Sequence, residues 1–548
     1  MFIKVCSATN LGLETIGVDV EVNVASRGLP VFDIVGLPSK SIDESKERVK
    51  TAIVNSRIEF PSRRIIVNLA PADVPKEGSC YDLPIAVGIL GSVIKYEIPE
   101  KSLFFGELSL DGTLRHTKGA LLLSLFAREK GIESIFVPKA SANEAAIIKG
   151  INVYPVENLN QLLAHILGKI QISPAQYHKK ESKDEEEKAE FDMAEILGQE
   201  QAKRAAEISA SGGHNLFMIG SPGAGKTMLA RALPGILPQL QEEESLEVTK
   251  IYSASGNIPP EGSLITICPF RSPHHTISQP GLIGGGTKPQ PGEISLAHRG
   301  VLFLDEFTEF PRSVMEALRQ PMEDGHLTIS RSQARVKYPS RFILVASANP
   351  CPCGYLYHPK KACICTQREI KRYRKRISGP ILDRIDLHVD VPVVDTKDLD
   401  TGSVGVGFSR PLESSNKIRE RVIMAREIQR KRFASFCHSD PEQSEGEESR
   451  GLLTGSFGLR PQDDTKGVIY TNAEMKNEHI KKYCFLSKEV KQILNQAVMS
   501  FHLSARSYFK MIKVARTIAD LGRVENIEVS HMAEALQYRS KRENYEGT

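Results

Sequence analysis

Polar and apolar residues alternate from Val18 to Val24, with Asp19, Glu21 and Asn23 between the valines, which is the period of a half-buried strand. Residues 65–69 predict a second strand, and residues 41–55 between them carry helical spacing. Further along, Leu216 to Ile219, Val301 to Leu304 and residues 342–346 are short unbroken apolar runs. Such runs predict strands covered on both faces, as in a parallel sheet sandwiched by helices. Residues 228–233 open a helix that Pro234 and Gly235 stop. Residues 326–337 alternate on two arms about a polar turn and predict a hairpin with Arg331 at its tip and Arg335 and Lys337 on its second arm. From about residue 413 the pattern becomes helical, over 416–433, 486–501, 505–521 and 530–539. The expected fold class is α/β, ending in a helical lid.

Two of the buried strands carry chemistry at their ends. Leu216 to Ile219 runs into Gly220-Ser221-Pro222-Gly223-Ala224-Gly225-Lys226-Thr227, the phosphate-loop pattern in its strand-to-helix context. Its glycines let backbone N–H groups close on phosphate oxygens, Lys226 would reach the terminal phosphates of ATP, and Thr227 offers a hydroxyl to Mg2+. The strand Val301 to Leu304 ends at Asp305 and Glu306, at the sheet edge where open α/β folds bind ligands. Asp305 would hold the magnesium shell, and Glu306 would polarise the attacking water, which makes the expected reaction ATP hydrolysis.

The chain has 548 residues, enough for about three domains, and a net charge of only +4. An anionic partner must therefore be met by local patches. No run of 18 apolar residues and no leader pattern occurs, so a cytoplasmic protein without a membrane partner is expected. Residues 173–192 read as a charged linker between an N-terminal unit, 1–172, and the nucleotide core, 193–395. The lid is 396–548, interrupted at 435–464 by an acidic insertion without periodicity, expected to be disordered. Four of the nine cysteines, Cys351, Cys353, Cys363 and Cys365, form two C-x-C pairs. Zn2+ in a tetrahedral thiolate site and reduced, unliganded thiols both suit that density. The loop leads to a basic helix with Lys371 and Arg372, near Tyr355, Tyr357 and Tyr373, a mixture that suits nucleic-acid binding by charge and stacking. His274 and His275 read as part of a loop, their side chains diverging.

Residues 71–86 and 106–112 resemble the proteolytic domain of Lon-type proteases. The position matching the nucleophile is Cys80, expected as a small buried thiol, and that matching the dyad lysine is Leu121, so the resemblance implies a proteolytically silent domain. P-F-R-S-P-H-H-T-I-S, G-L-I-G-G-G and P-G-E-I-S-L-A-H-R-G-V-L-F-L-D-E together resemble the magnesium-chelatase-like AAA+ family, and the Lon-like unit narrows this to its ComM/YifB branch. The resemblance implies that Asn349 is the first sensor, that Arg384 is an arginine finger reaching a neighbour's ATP, and that Arg506 is the second sensor, with Arg516 a lesser candidate. Asp383 or Asp386 would be Arg384's partner if it were structural. The resemblance also implies a homo-oligomeric ring, a hexamer, whose hairpin cations Arg331, Arg335 and Lys337 meet DNA in the pore, and a helicase or branch-migration activity. The alternative is a motor subunit for metal insertion into a porphyrin.

Overall fold

A computed structural model describes residues 2–26, 29–36, 40–74, 76, 78–177, 190–259, 262–286, 290–330, 335–393, 413–434 and 469–539. Arg331, the charged stretch of the expected linker and the whole of 435–464 lie outside the described residues.

The alternating valines become the strand Glu14–Val24, with Val18, Val20, Val22 and Val24 buried. It pairs antiparallel with Phe2–Leu11 on one side and Ile65–Ala70 on the other, and Phe32–Val35 adds in parallel at the edge. The apolar helix Asp82–Ile94 covers this sheet. Behind it, Ser102–Phe104, Ser134–Pro138 and Asn152–Val156 form a parallel three-stranded sheet. Leu121 is fully buried in the helix Ala120–Glu129, so no base stands at that position. Cys80 is half-buried between two apolar clusters, not enclosed as expected.

The central sheet is parallel throughout, in the order Phe270–Arg271, Val301–Leu304, Ile343–Ala348, Leu216–Ile219, Leu387–Asp390. Because side chains alternate along a strand, each apolar run feeds two cores. Leu216, Met218, Val301, Phe303, Ile343 and Val345 point to the face covered by the C-terminal helices. Phe217, Leu302, Leu304, Leu344 and Ala346 point to the opposite face, with the hairpin His326–Ser330 and Arg335–Pro339 beneath them. Leu11 and Leu13, from the first turn of the chain, pack against that second core and tie the N-terminal unit to it. A second tie is the buried Glu144 carboxylate, which accepts hydrogen bonds from Ser253 Oγ at 2.6 Å and from its own unit's Leu121 N at 3.0 Å.

The helices Ser415–Ala434, Lys488–Phe501, Ala505–Leu521 and Val529–Gln537 form the C-terminal region. Their seam with the sheet is polar at one point: Asp386 Oδ2 lies 3.1 Å from His214 Nδ1, and Asp386 Oδ1 lies 3.3 Å from Lys510 Nζ. His214 Nε2 lies 2.8 Å from Thr517 Oγ1. A largely buried carboxylate needs such partners, and here Lys510 directly, and His214 through Thr517, bring the helix Ala505–Leu521 to the segment that carries Arg384. Arg516 is buried and donates to Asp520 and to the carbonyls of Val524 and Glu525, so its side chain closes its own helix end.

Candidate nucleotide-binding site

The parallel order places three chain segments side by side at the carboxyl ends of adjacent strands. Residues 220–227 follow Leu216–Ile219, Asp305 and Glu306 follow Val301–Leu304, and Asn349 follows Ile343–Ala348. Gly223 and Gly225 have φ of +78° and +84°, and a Cβ on either would meet nothing within 4 Å. The backbone thus takes a left-handed form that glycine adopts freely and leaves open space above the loop. Those residues fit a triphosphate. The helix Lys226–Ala232 starts there with its unpaired N–H groups.

Lys226 is buried, and its Nζ donates to Gly220 O at 2.6 Å and Ser221 O at 3.1 Å, with Asn349 Oδ1 at 3.2 Å. Burial pushes its ammonium below the ordinary lysine value, against the pull of Asp305 and Glu306. Thr227 Oγ1 donates to Asp305 Oδ2 at 2.8 Å, and Ser347 donates to Asp305 Oδ1. A hydroxyl and a carboxylate already in contact fit a shared magnesium shell. Ser347 was not anticipated from sequence; its one signal is a hydroxyl in an otherwise apolar run.

Glu306 stands apart from this cluster. Its φ of +51° and ψ of +46° are left-handed, a conformation that costs a non-glycine residue about 1–2 kcal/mol. The turn leaves its side chain 55% exposed, with Oε2 at 3.5 Å from His275 Nδ1. His275 was expected to diverge from His274. Instead the two rings lie with centroids 4.1 Å apart, and His275 faces the carboxylate. Gln199, before the helix Glu200–Gly212, donates to Ala224 O at 3.2 Å and completes the loop's other side.

Arg384 and Arg506 lie together, joined by a residue that sequence reasoning missed. Arg384 Nη2 lies 2.7 Å from Glu323 Oε1, and Arg506 Nη1 lies 2.6 Å from the same oxygen. The carboxylate that Arg384 meets is thus Glu323, distant in sequence, where Asp383 and Asp386 were the structural alternatives. Arg384 Nη1 donates to Pro380 O at 2.6 Å, and its buried Nε has no hydrogen-bond partner among the described residues. Neither arginine is held by the phosphate loop of its own chain.

The four cysteines of the C-x-C pairs converge, their Sγ atoms all within 4.8 Å of one another, a grouping that could hold a metal ion. Arg335 and Lys337 are exposed on one face of their strand while Val336 and Tyr338 are buried. Lys371 and Arg372 are exposed on the helix Gln367–Arg374. Tyr373 is buried and its Oη accepts from Thr308 Oγ1 at 2.6 Å, so it offers no ring for stacking. Tyr357 is 64% exposed.

The family models for magnesium chelatase subunit ChlI match residues 20–141, 192–399 and 412–539. The competence protein ComM of Haemophilus influenzae is 38% identical over 540 residues, which are 98% of this chain and 97% of the relative. The chain belongs to the ComM/YifB family of magnesium-chelatase ChlI-like ATPases. The uncharacterized protein YifB of Escherichia coli, another member, is 38% identical over 97% of this chain and 95% of its own length. The magnesium-chelatase 38 kDa subunit of Rhodobacter capsulatus is 26% identical over only 29% of the chain. Among the described residues no helix is long and apolar enough to cross a membrane.

Proposed function

We propose that this protein is an ATP-hydrolysing ring motor that acts on DNA, as a helicase or branch-migration enzyme in recombination or in the uptake of transforming DNA. The observation that carries the reading is the cluster of Lys226, Thr227 and Asp305 with Glu306 held clear of it at the same sheet edge. Lys226 would bind the terminal phosphates, Thr227 and Asp305 would hold Mg2+, and bound Mg2+ would neutralise charge on the phosphates. Glu306 would orient and deprotonate water, and Asn349 would fix that water against the terminal phosphate.

The ring is supported by Arg384, whose buried Nε has no hydrogen-bond partner among the described residues and whose other nitrogens meet Glu323 and Pro380 O rather than its own phosphate loop. DNA is supported by the exposed cations Arg335, Lys337, Lys371 and Arg372, and by a relative of nearly equal length named a competence protein. The N-terminal unit, 1–172, serves as a proteolytically silent scaffold for the core 193–395 and the lid 396–548. The deciding measurement is the ATPase rate of the full chain with forked, linear and single-stranded DNA, beside peptide and porphyrin controls. Stimulation by DNA alone is the expected result; stimulation by porphyrin with no response to DNA would overturn the reading.

A further inference from the structure

The segment 351–366 contains no helix or strand, yet it is bounded by the sheet on one side and by the helix Gln367–Arg374 on the other. A loop of this length in a compact domain needs something to hold it. The cysteine sulfurs supply the candidate. Cys351 Sγ lies 3.4 Å from Cys353 Sγ and 3.7 Å from Cys363 Sγ, and Cys353 Sγ lies 3.5 Å from Cys363 Sγ. A disulfide would need about 2.05 Å. Four thiolates about 2.3 Å from one Zn2+ form a tetrahedron with edges of about 3.8 Å, close to the observed separations. Cys353 N donates to Cys365 Sγ at 3.4 Å, a backbone hydrogen bond of the kind that orients a metal-binding thiolate.

The position of this knot gives it a consequence. Cys351 follows Asn349 by two residues, and Asn349 Oδ1 lies 3.2 Å from Lys226 Nζ. Gly354 N donates to Cys351 O at 3.0 Å, and a Cβ on Gly354 would come within 2.5 Å of Pro222 Cδ. The cysteine loop is thus seated on the phosphate loop itself. Arg374 holds the opposite side, donating from Nε to Pro350 O at 3.2 Å and from Nη2 to Tyr357 Oη at 3.2 Å.

We propose that Cys351, Cys353, Cys363 and Cys365 bind one Zn2+, and that the tetrathiolate knot is the positioning element that holds Asn349 in place for ATP hydrolysis. The positioning half rests on the ATPase reading above; the metal half does not. Zinc here performs no chemistry on the nucleotide. It cross-links a loop that would otherwise leave the asparagine between Ala348 and Pro350 free to shift against the phosphate loop.

The full chain is purified without added metal, and zinc is measured per chain. Cobalt exchanged into the protein then reports geometry, because a tetrahedral tetrathiolate site gives intense d–d and thiolate-to-metal absorption. One zinc per chain and that spectrum, both lost in Cys363→Ser/Cys365→Ser, are expected; a chain without stoichiometric zinc that gives no tetrahedral cobalt spectrum overturns the proposal. Turnover with Mg2+ resupplied is compared for the zinc-loaded chain, the chelator-stripped chain, the stripped chain with zinc restored, and the double variant. The stripped chain and the variant should lose at least tenfold in kcat, with affinity for a fluorescent ATP analogue changed less than threefold, and zinc should restore the stripped chain. Undiminished kcat, or affinity falling in step with kcat, would overturn the positioning role. A zinc-loaded chain that hydrolyses no ATP would instead overturn the ATPase reading and leave the metal site standing.

Discussion

Arg384 and Arg506 share a single oxygen: their guanidinium nitrogens lie 2.7 Å and 2.6 Å from Glu323 Oε1. The two residues are 122 positions apart in sequence and reach Glu323 from different elements, one from the segment just before the edge strand Leu387–Asp390 and one from the first turn of the helix Ala505–Leu521. Two like charges approach only when an anion lies between them, so Glu323 sets their common position. The same contacts hold the Glu323 carboxyl below its ordinary value, chiefly through the hydrogen bond from Arg384.

Glu323→Gln is therefore expected to lower kcat about tenfold or more, with KM for ATP nearly unchanged. Combined with Arg384→Ala it should add little further loss, because the two act as one unit. Steady-state ATPase kinetics of the two single variants and the double variant check this; additive losses would separate the carboxylate from the arginine. Arg384→Ala subunits mixed with Lys226→Ala subunits should regain turnover if the arginine serves a neighbouring chain.

Glu306→Gln should bind ATP as the parent does and lose about 10²- to 10⁴-fold in turnover, the range for removing a general base. Lys226→Ala should instead lose binding. Equilibrium nucleotide binding and single-turnover hydrolysis distinguish the two, and retained turnover in Glu306→Gln would remove that residue from the reaction.

Removing Arg335 and Lys337 together should reduce the dependence of single-stranded DNA affinity on salt. Each phosphate that is no longer neutralised lowers the slope of log K against log salt by about 0.7 for a single strand, so a change of about 1.4 is expected if both cations touch phosphates. Titrations at several salt concentrations measure it. An unchanged slope would place the DNA elsewhere.

Burial would raise the Glu247 carboxyl, but the His298 hydrogen bond and the Arg299 charge outweigh it and hold the group down to about 2. Its unfolded value is about 4.3, so its stabilisation is present above that pH and is lost as pH falls toward 2. Glu247→Gln should lower the urea midpoint at pH 6 and differ less from the parent at pH 3. A constant difference across that range would mean that the carboxylate charge contributes nothing.

Much of this architecture was legible in the chain because it rests on local rules. The valine alternation gave its strand, the helix at 505–521 appeared with the bounds expected, and the apolar runs marked strands buried on both faces. Errors arose where a side chain's surroundings come from elsewhere in the chain. Tyr373 looked available beside basic residues, but Thr308, 65 positions away, takes its hydroxyl. Adjacent histidines looked divergent, yet a loop bend set their rings together and one of them against Glu306. The pairing of Arg384 with Glu323 was invisible for the same reason: sequence offers neighbours in number, such as Asp383 and Asp386, and Glu323 is a neighbour only in space.

Sequence by itself determined the phosphate loop, the acid pair and the sheet that carries them, since glycine freedom, strand period and helix stops act over a few residues. Tertiary structure alone decided that Ser347 braces Asp305, that Glu323 yokes two distant arginines, that four cysteines on a loop without regular structure converge, and that Gly354 of that loop sits against Pro222 and Asn349. Those relationships depend on which strands lie side by side and which helix crosses them. That order is set by burying both faces of one sheet at once, which no short stretch of the chain encodes.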